Sequence, residues 1–253
     1  MGIFIAGGTS GLGLAIARRL SASRPGVPVF LAYSSNDAAA QRALRELGNK
    51  PHIHTIKVDI TDVAAVRAAM QAVAKTTPRL EVLVHSTVDH STIKLLDVTP
   101  EQFHRTIDVN GTSLLYLVQA ASAMLGEGSS IVYLSGRAAE AVGPGAGTGG
   151  AAGKAMGECL VRYLAVQLAP RFIRINTLRS GPVDTPYLRQ VVGVAEHADY
   201  VAPPTLNGLP LETDDVAAVA EFLASPGARM ITGQILMVDG GRSVLAASPK
   251  PPK

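Results

Sequence analysis

The first twenty residues limit what this chain can become. Gly2–Ala6 (GIFIA) is a short uncharged apolar run, and the turn Gly7-Gly8-Thr9-Ser10-Gly11-Leu12-Gly13 follows at once. Residues 12–20 then repeat apolar side chains at helical spacing. An apolar run of this length bounded by glycines reads as a buried strand. Glycines between it and the helix permit a turn too tight for side chains. Strand, glycine turn and helix, in that order, open a parallel sheet with crossover helices.

The alternation continues along the chain. Further strands are expected at 27–33, 52–58, 81–84, 131–135, 172–178 and 234–238. Helices are expected from Asp37, as a cap, to about Leu47, and over 63–74, 152–168 and 214–224. Thr99-Pro100-Glu101-Gln102 has the form of a capping box with proline in the first turn. Its helix is expected to bend near Gly111 and end near Leu125. These elements predict one α/β domain over residues 1–247, a doubly wound Rossmann-type parallel seven-stranded sheet with helices on both faces. Residues 248–253 (SPKPPK) read as a frayed tail. The aperiodic stretch 186–210 reads as a lid-like loop. The 152–168 helix is apolar all round, so cover is expected on every face.

Composition narrows the function. The formal net charge is +3 over 253 residues, and the basic residues are scattered, which argues against nucleic acid. The apolar runs are too short for a membrane span and no leader pattern opens the chain, so a cytoplasmic protein is expected. Cys159 is the one cysteine, which excludes an internal disulfide and suggests a buried apolar role. His52 and His54 share a strand face but have no third ligand, so no metal site is expected.

The glycine turn points to a dinucleotide. Its backbone N–H groups can approach a pyrophosphate, and the helix N-terminus adds partial positive charge. The spacing Gly7-x-x-x-Gly11-x-Gly13 resembles the short-chain dehydrogenase/reductase family, and further motifs follow in order. Asp59-Ile60 is similar to the family's adenine-binding pair. Asn110 is similar to its structural and catalytic asparagine. Ser180-Gly181-Pro182-Val183-Asp184-Thr185 resembles its turn beside the nicotinamide, and 233–241 its C-terminal signature. The resemblance covers about residues 2–246. Within the family, 162–170 and 239–243 look most like the enoyl-acyl-carrier-protein reductase III branch, with the 3-ketoacyl reductases next.

The resemblance implies a cofactor set of Gly7, Thr9, Ser10, Gly11, Leu12, Gly13, Tyr33, Ser34, Ser35, Asp59, Ile60, Ser86, Thr87, Ser135, Lys154, Gly181, Val183 and Thr185. Residues 31–36 (LAYSSN) carry no acid to accept bonds from a ribose 2′-OH, which favours NADP(H). Ser10 and Ser34 stand where similar proteins often place arginine, so NAD(H) stays open.

The family's acid/base residues do not line up. Its Tyr-x-x-x-Lys pattern places Lys154 correctly but puts Gly150 at the tyrosine. The Tyr-x6-Lys spacing of the reductase III branch puts Gly147 there. The family's serine falls on Gly136 or Arg137, with Ser135 one residue early. His85 replaces an asparagine after the fourth strand, with Asp89 and His90 just beyond. Tyr187 and Tyr200, in the lid-like stretch, are tyrosines that can reach in. The catalytic candidates are therefore Asn110, Lys154, His85, Arg137 and Tyr187. Three functions are compatible. One is a reductase of an activated C=C, C=N or C=O group, on a small or acyl-carrier-bound substrate of acyl, polyketide or other natural-product synthesis. A second is a non-redox cyclase, isomerase or dehydratase. The third is a silent cofactor-binding partner subunit. A homodimer or homotetramer is expected from the family resemblance of the 152–168 helix.

Overall fold

The computed structural model describes residues 1–89, 95–142, 148–186, 188–189 and 205–244. Seven strands form one sheet: β1 (Gly2–Ala6), β2 (Val29–Tyr33), β3 (Ile53–Lys57), β4 (Leu80–His85), β5 (Ser130–Gly136), β6 (Arg174–Ser180) and β7 (Ile235–Val238). Their spatial order is β3-β2-β1-β4-β5-β6-β7, and every pairing is parallel. The strand order reverses between β1 and β4, which opens a crevice at their carboxyl ends.

The helices are α1 (Gly11–Ser23), α2 (Asp37–Glu46), α3 (Val63–Thr76), α4 (Pro100–Ile107), α5 (Ser113–Ala121), α6 (Thr148–Leu168) and α7 (Thr213–Leu223). Alternation along β1 divides the core. Phe4 and Ala6 join one buried cluster with α3, α5 and α6, while Ile3 and Ile5 join another with α1 and α7. Both faces of the central strands are therefore apolar, as a sheet covered on two sides requires. Arg19 of α1 clamps the second layer through Asp214 and Glu221 of α7, at 2.8 Å each.

The doubly wound sheet matches the expected fold, and several local expectations change. The cap of α2 is Asn36, whose side chain accepts from the Ala39 amide at 2.9 Å. Asp37 is the first helical residue and bonds Tyr33 and Lys57 instead. The strand expected at 172 begins at Arg174, because Phe172 takes a left-handed conformation (φ 55°) in the turn before it. The capping box at Thr99 and Gln102 forms as expected. The bend near Gly111 is a π-helical turn, Asp108–Thr112, between α4 and α5. Among the described residues nothing covers the outward side of α6: Tyr163 is 69% and Val166 75% exposed. Cys159 is half-buried. The tail and most of the lid-like stretch lie outside the described residues. Among the described residues, no helix is long and apolar enough to cross a membrane, and no cluster of metal-ligating side chains occurs.

Candidate functional site

A cleft of about 550 Å³ follows the carboxyl ends of the strands across the reversal point. At its centre lies the turn after β1. Gly7 has φ +75°, and a Cβ there would meet the Ser86 carbonyl at 2.7 Å. A Cβ on Gly13 would sit 2.1 Å from the Gly7 carbonyl, so bare backbone alone lets α1 start this close to β1. Ser10 precedes the helix, but its side chain makes no capping bond and no acid stands in the first turn. The first-turn amides thus point into the cleft without an internal acceptor. A concave, glycine-lined set of N–H donors at a helix N-terminus fits a pyrophosphate.

The cleft gathers most of the residues singled out from sequence. Gly7, Thr9, Ser10, Gly11, Leu12, Tyr33, Ser34, Ser35, Asp59, Ile60, Ser86, Thr87, Ser135, Arg137, Lys154, Gly181, Val183 and Thr185 all line it, and so does Gly150. Gly13 stands behind the turn. Asn110 and His85 do not reach the lining. Tyr187, with His90, Gly147 and Tyr200, lies outside the described residues.

Asp59 and Arg105 close the β3 end. The Asp59 carboxylate accepts from the Thr61 amide at 2.9 Å and from Arg105 at 2.9 Å. Burial opposes its charge, but these bonds hold its carboxyl below the ordinary value. Arg105 went unnoticed in the sequence because it belongs to α4, far along the chain.

Lys154 forms the floor between β4 and β5. Its Nζ donates to the Thr87 carbonyl at 2.9 Å and the Leu134 carbonyl at 2.8 Å, and sits 4.9 Å from the centre of the Tyr133 ring. Burial pushes this ammonium down to about 7, and the charge of Glu158 one turn along raises it only in part. The residue is 8% exposed and lines the cleft.

A buried carboxylate network supports that floor. Glu158 of α6 takes both Nε and Nη2 of Arg179 from β6, each at 2.6 Å, and the Ser135 hydroxyl at 2.7 Å. Glu140 meets the same guanidinium from the outside. The proton of Ser135 is thereby committed to Glu158, and toward the cleft its oxygen acts as an acceptor. The pair went unnoticed in the sequence, where an acid within an apolar helix and an arginine within a buried strand are its signals but do not show that the two meet.

Asn110 lies in the π-helical turn. Its Nδ2 donates to the Thr106 carbonyl at 2.9 Å and to the Asp89 carbonyl, so it ties the turn to the segment after β4. The Tyr133 hydroxyl donates to the Asn110 carbonyl. Gly111 and Gly153 permit the crossing of α6 over this turn: a Cβ on Gly111 would lie 2.5 Å from the Gly153 carbonyl. Through these bonds Asn110 and Tyr133 join the π-helical turn, the segment after β4 and β5.

His85 does not stand where a catalytic candidate must. It is wholly buried, with Nε2 2.7 Å from Ser113 Oγ and 3.1 Å from Thr87 Oγ1. Both hydroxyls give their protons to the Val109 carbonyl, at 2.9 and 3.1 Å, which assigns the imidazole proton to Nε2. Burial and the neighbouring Lys154 hold the ring's pKa well below its ordinary value. The alternation of β4 turns this side chain away from the cleft and against α5, as a neutral structural group.

Known proteins place this architecture. Residues 6–243 match the family model for enoyl-(acyl carrier protein) reductase. An uncharacterized oxidoreductase of Methylorubrum extorquens is 33% identical over 246 residues, covering 94% of this chain and 95% of that protein. The enoyl-(acyl carrier protein) reductase (NADH) of Synechocystis sp. is 32% identical over 213 residues, covering 81% of each. The crystal structure of a short chain dehydrogenase from Burkholderia cenocepacia in complex with NADP superposes with a TM-score of 0.86. It is 31% identical and covers 95% of this chain and 97% of that one. With the parallel seven-stranded sheet and the glycine cleft at its reversal point, these similarities show that the chain belongs to the short-chain dehydrogenase/reductase family.

Proposed function

We propose that the cleft binds a nicotinamide dinucleotide, NADPH in preference to NADH. In this reading the protein reduces an activated C=C, C=N or C=O group, with Lys154 as the proton donor. The observation that carries the reading is the cleft floor. Lys154 lines the cleft, its ammonium is pushed down to about 7, and the lining residue one helical turn earlier is Gly150, which has no side chain to stand between Lys154 and a substrate. The family's tyrosine is absent at that position, so the acid has to come from another group.

The residues present fit the cofactor. The amides of the α1 first turn would hold the pyrophosphate, Tyr33 to Ser35 the adenosine ribose, and Asp59 and Ile60 the adenine edge. Gly181, Val183 and Thr185 at the end of β6 would border the nicotinamide, which supplies the hydride when bound. A hollow that shares Ser10 and Asn36 with the cleft is lined by Arg18 and Arg42 beside Glu46 and Asp184; Glu46 pairs with Arg18 at 3.7 Å, which leaves Arg42 as the cation to meet a 2′-phosphate. The NADP complex of the Burkholderia relative supports that preference. The NADH of the Synechocystis relative's name keeps NADH as the second cofactor.

Lys154 Nζ then gives its proton to the substrate atom that gains negative charge. Thr87 and Leu134 carbonyls hold the amine in place throughout. Ser135 accepts a bond from a substrate N–H or O–H group. An enone, an iminium or an enoyl thioester suits this site better than a simple ketone, because less proton transfer is needed as the hydride arrives. Small and acyl-carrier-bound substrates both fit an open cleft. A second copy covering Tyr163 and Val166 of α6 would give the homodimer, which size-exclusion chromatography reads directly.

The test is NADPH consumption with cyclic enones, cyclic imines and crotonyl thioesters. Turnover with one of these is expected, falling about 10²- to 10⁴-fold in Lys154→Met. No substrate-dependent oxidation, or product formed without any nicotinamide, would overturn the proposal.

A further inference from the structure

We infer that the cleft takes a substrate bearing a carboxylate, and that Arg137 is the residue that recognises it. The inference rests on the proposed cofactor-and-substrate reading of this cleft. Arg137 is the first residue after β5 and opens a single 3-10 turn, Arg137–Ala139, that packs against α6. It lines the cleft and is half-buried. Among the described residues its guanidinium has no hydrogen bond and no ion pair. Arg105, the other arginine of the lining, is bridged to Asp59.

Among the described residues, the acids near the end of β5 are turned elsewhere. Glu140 and Glu158 both engage Arg179, and neither lines the cleft. Asp59 is the one carboxylate among the described lining residues, and it sits at the opposite end, after β3. The β5 end of the cleft therefore carries the Arg137 guanidinium, joined by Lys154 whenever its amine is protonated, against walls that include Leu134, Gly136, Ala138, Ala139 and Ala151. Apolar walls focus the field of such a pair into the opening.

The dinucleotide itself does not account for this charge. The phosphate cradle follows β1, and β5 is two strands away across β4, about 10 Å at ordinary strand spacing. A planar guanidinium left open at one end of a cleft matches a carboxylate through two parallel N–H bonds. Lys154 stands on the same side, so a carboxylate held by Arg137 brings the reacting part of its carrier toward the ammonium. An unsaturated or oxo acid answers this arrangement.

Calorimetric titration of the NADP⁺-loaded protein with benzoate and its neutral isostere benzamide tests the inference without knowledge of the substrate. Benzoate is expected to bind about 10- to 150-fold tighter, the range of a charge-assisted bond. Arg137→Gln should bring the two within about twofold of each other, and Arg137→Lys should restore part of the difference. An unchanged circular dichroism spectrum establishes that the variants are folded. Equal binding by the wild type, or a preference that survives in Arg137→Gln, overturns the inference. The same pair is titrated into the cofactor-free protein. An anion preference there that depends on Arg137, with no binding of NADP⁺, refutes the cofactor reading and leaves the anion site standing.

Discussion

Lys154 is buried as a cation that burial disfavours, so it should make stability depend on pH in a particular direction. Its ammonium titrates at about 7 in the folded protein, against 10.5 in an exposed chain. Below about pH 7 both states carry the proton and the penalty of burying the charge is fully present. Above it the folded state sheds the proton while the unfolded chain keeps it, so the unfolded state binds more protons and stability rises with pH. The slope approaches about 1.4 kcal/mol per pH unit. Integrated between about pH 7.5 and 9.5, the gain is about 2.5 kcal/mol. Urea unfolding of the wild type and of Lys154→Met across this range isolates the term, because all other titrations are common to both. The difference in unfolding free energy, wild type minus variant, should climb with pH. Parallel profiles, or a difference that falls with pH, would refute the depressed ammonium and with it the proton-donor role.

Three further outcomes follow from the geometry. Glu158→Gln weakens a buried ion pair and leaves Arg179 short of charge. The expected loss is about 3–5 kcal/mol by urea unfolding, and Lys154 should titrate lower still, because the Glu158 charge raises it. Gly13→Ala sets a methyl against the Gly7 carbonyl. NADPH binding should vanish in a fluorescence titration, with a stability cost of about 1–3 kcal/mol; near wild-type affinity would contradict the cradle. Gly150→Tyr places a phenol one turn before Lys154, and ketone reduction by the variant should exceed the wild type by about 10²-fold. An unchanged rate would show that the acid was never limiting.

The sheet was legible in the sequence because each of its signals is local. A five-residue apolar run, glycines before a helix, and a capping box at Thr99 each act within a few residues. The glycine turn also located the cleft, since a strand end and a helix start fix its direction. The α2 cap moved from Asp37 to Asn36 because either side chain can accept a first-turn amide, and Asp37 found Lys57 across the strand edge instead. His85 could not be placed from sequence. Its role depends on Ser113, 28 residues away, and on which face of β4 meets α5. The Glu158–Arg179–Ser135 network was hidden for the same reason, since α6, β6 and β5 meet only in the fold. The partnerless state of Arg137 was likewise invisible, because it depends on where Glu140 and Glu158 turn.

Titration of the purified protein with NADPH, followed by nicotinamide fluorescence, tests the central claim most directly. The account predicts saturable binding, weaker for NADH, and lost in Gly13→Ala. A wild-type protein that binds neither nicotinamide would contradict it.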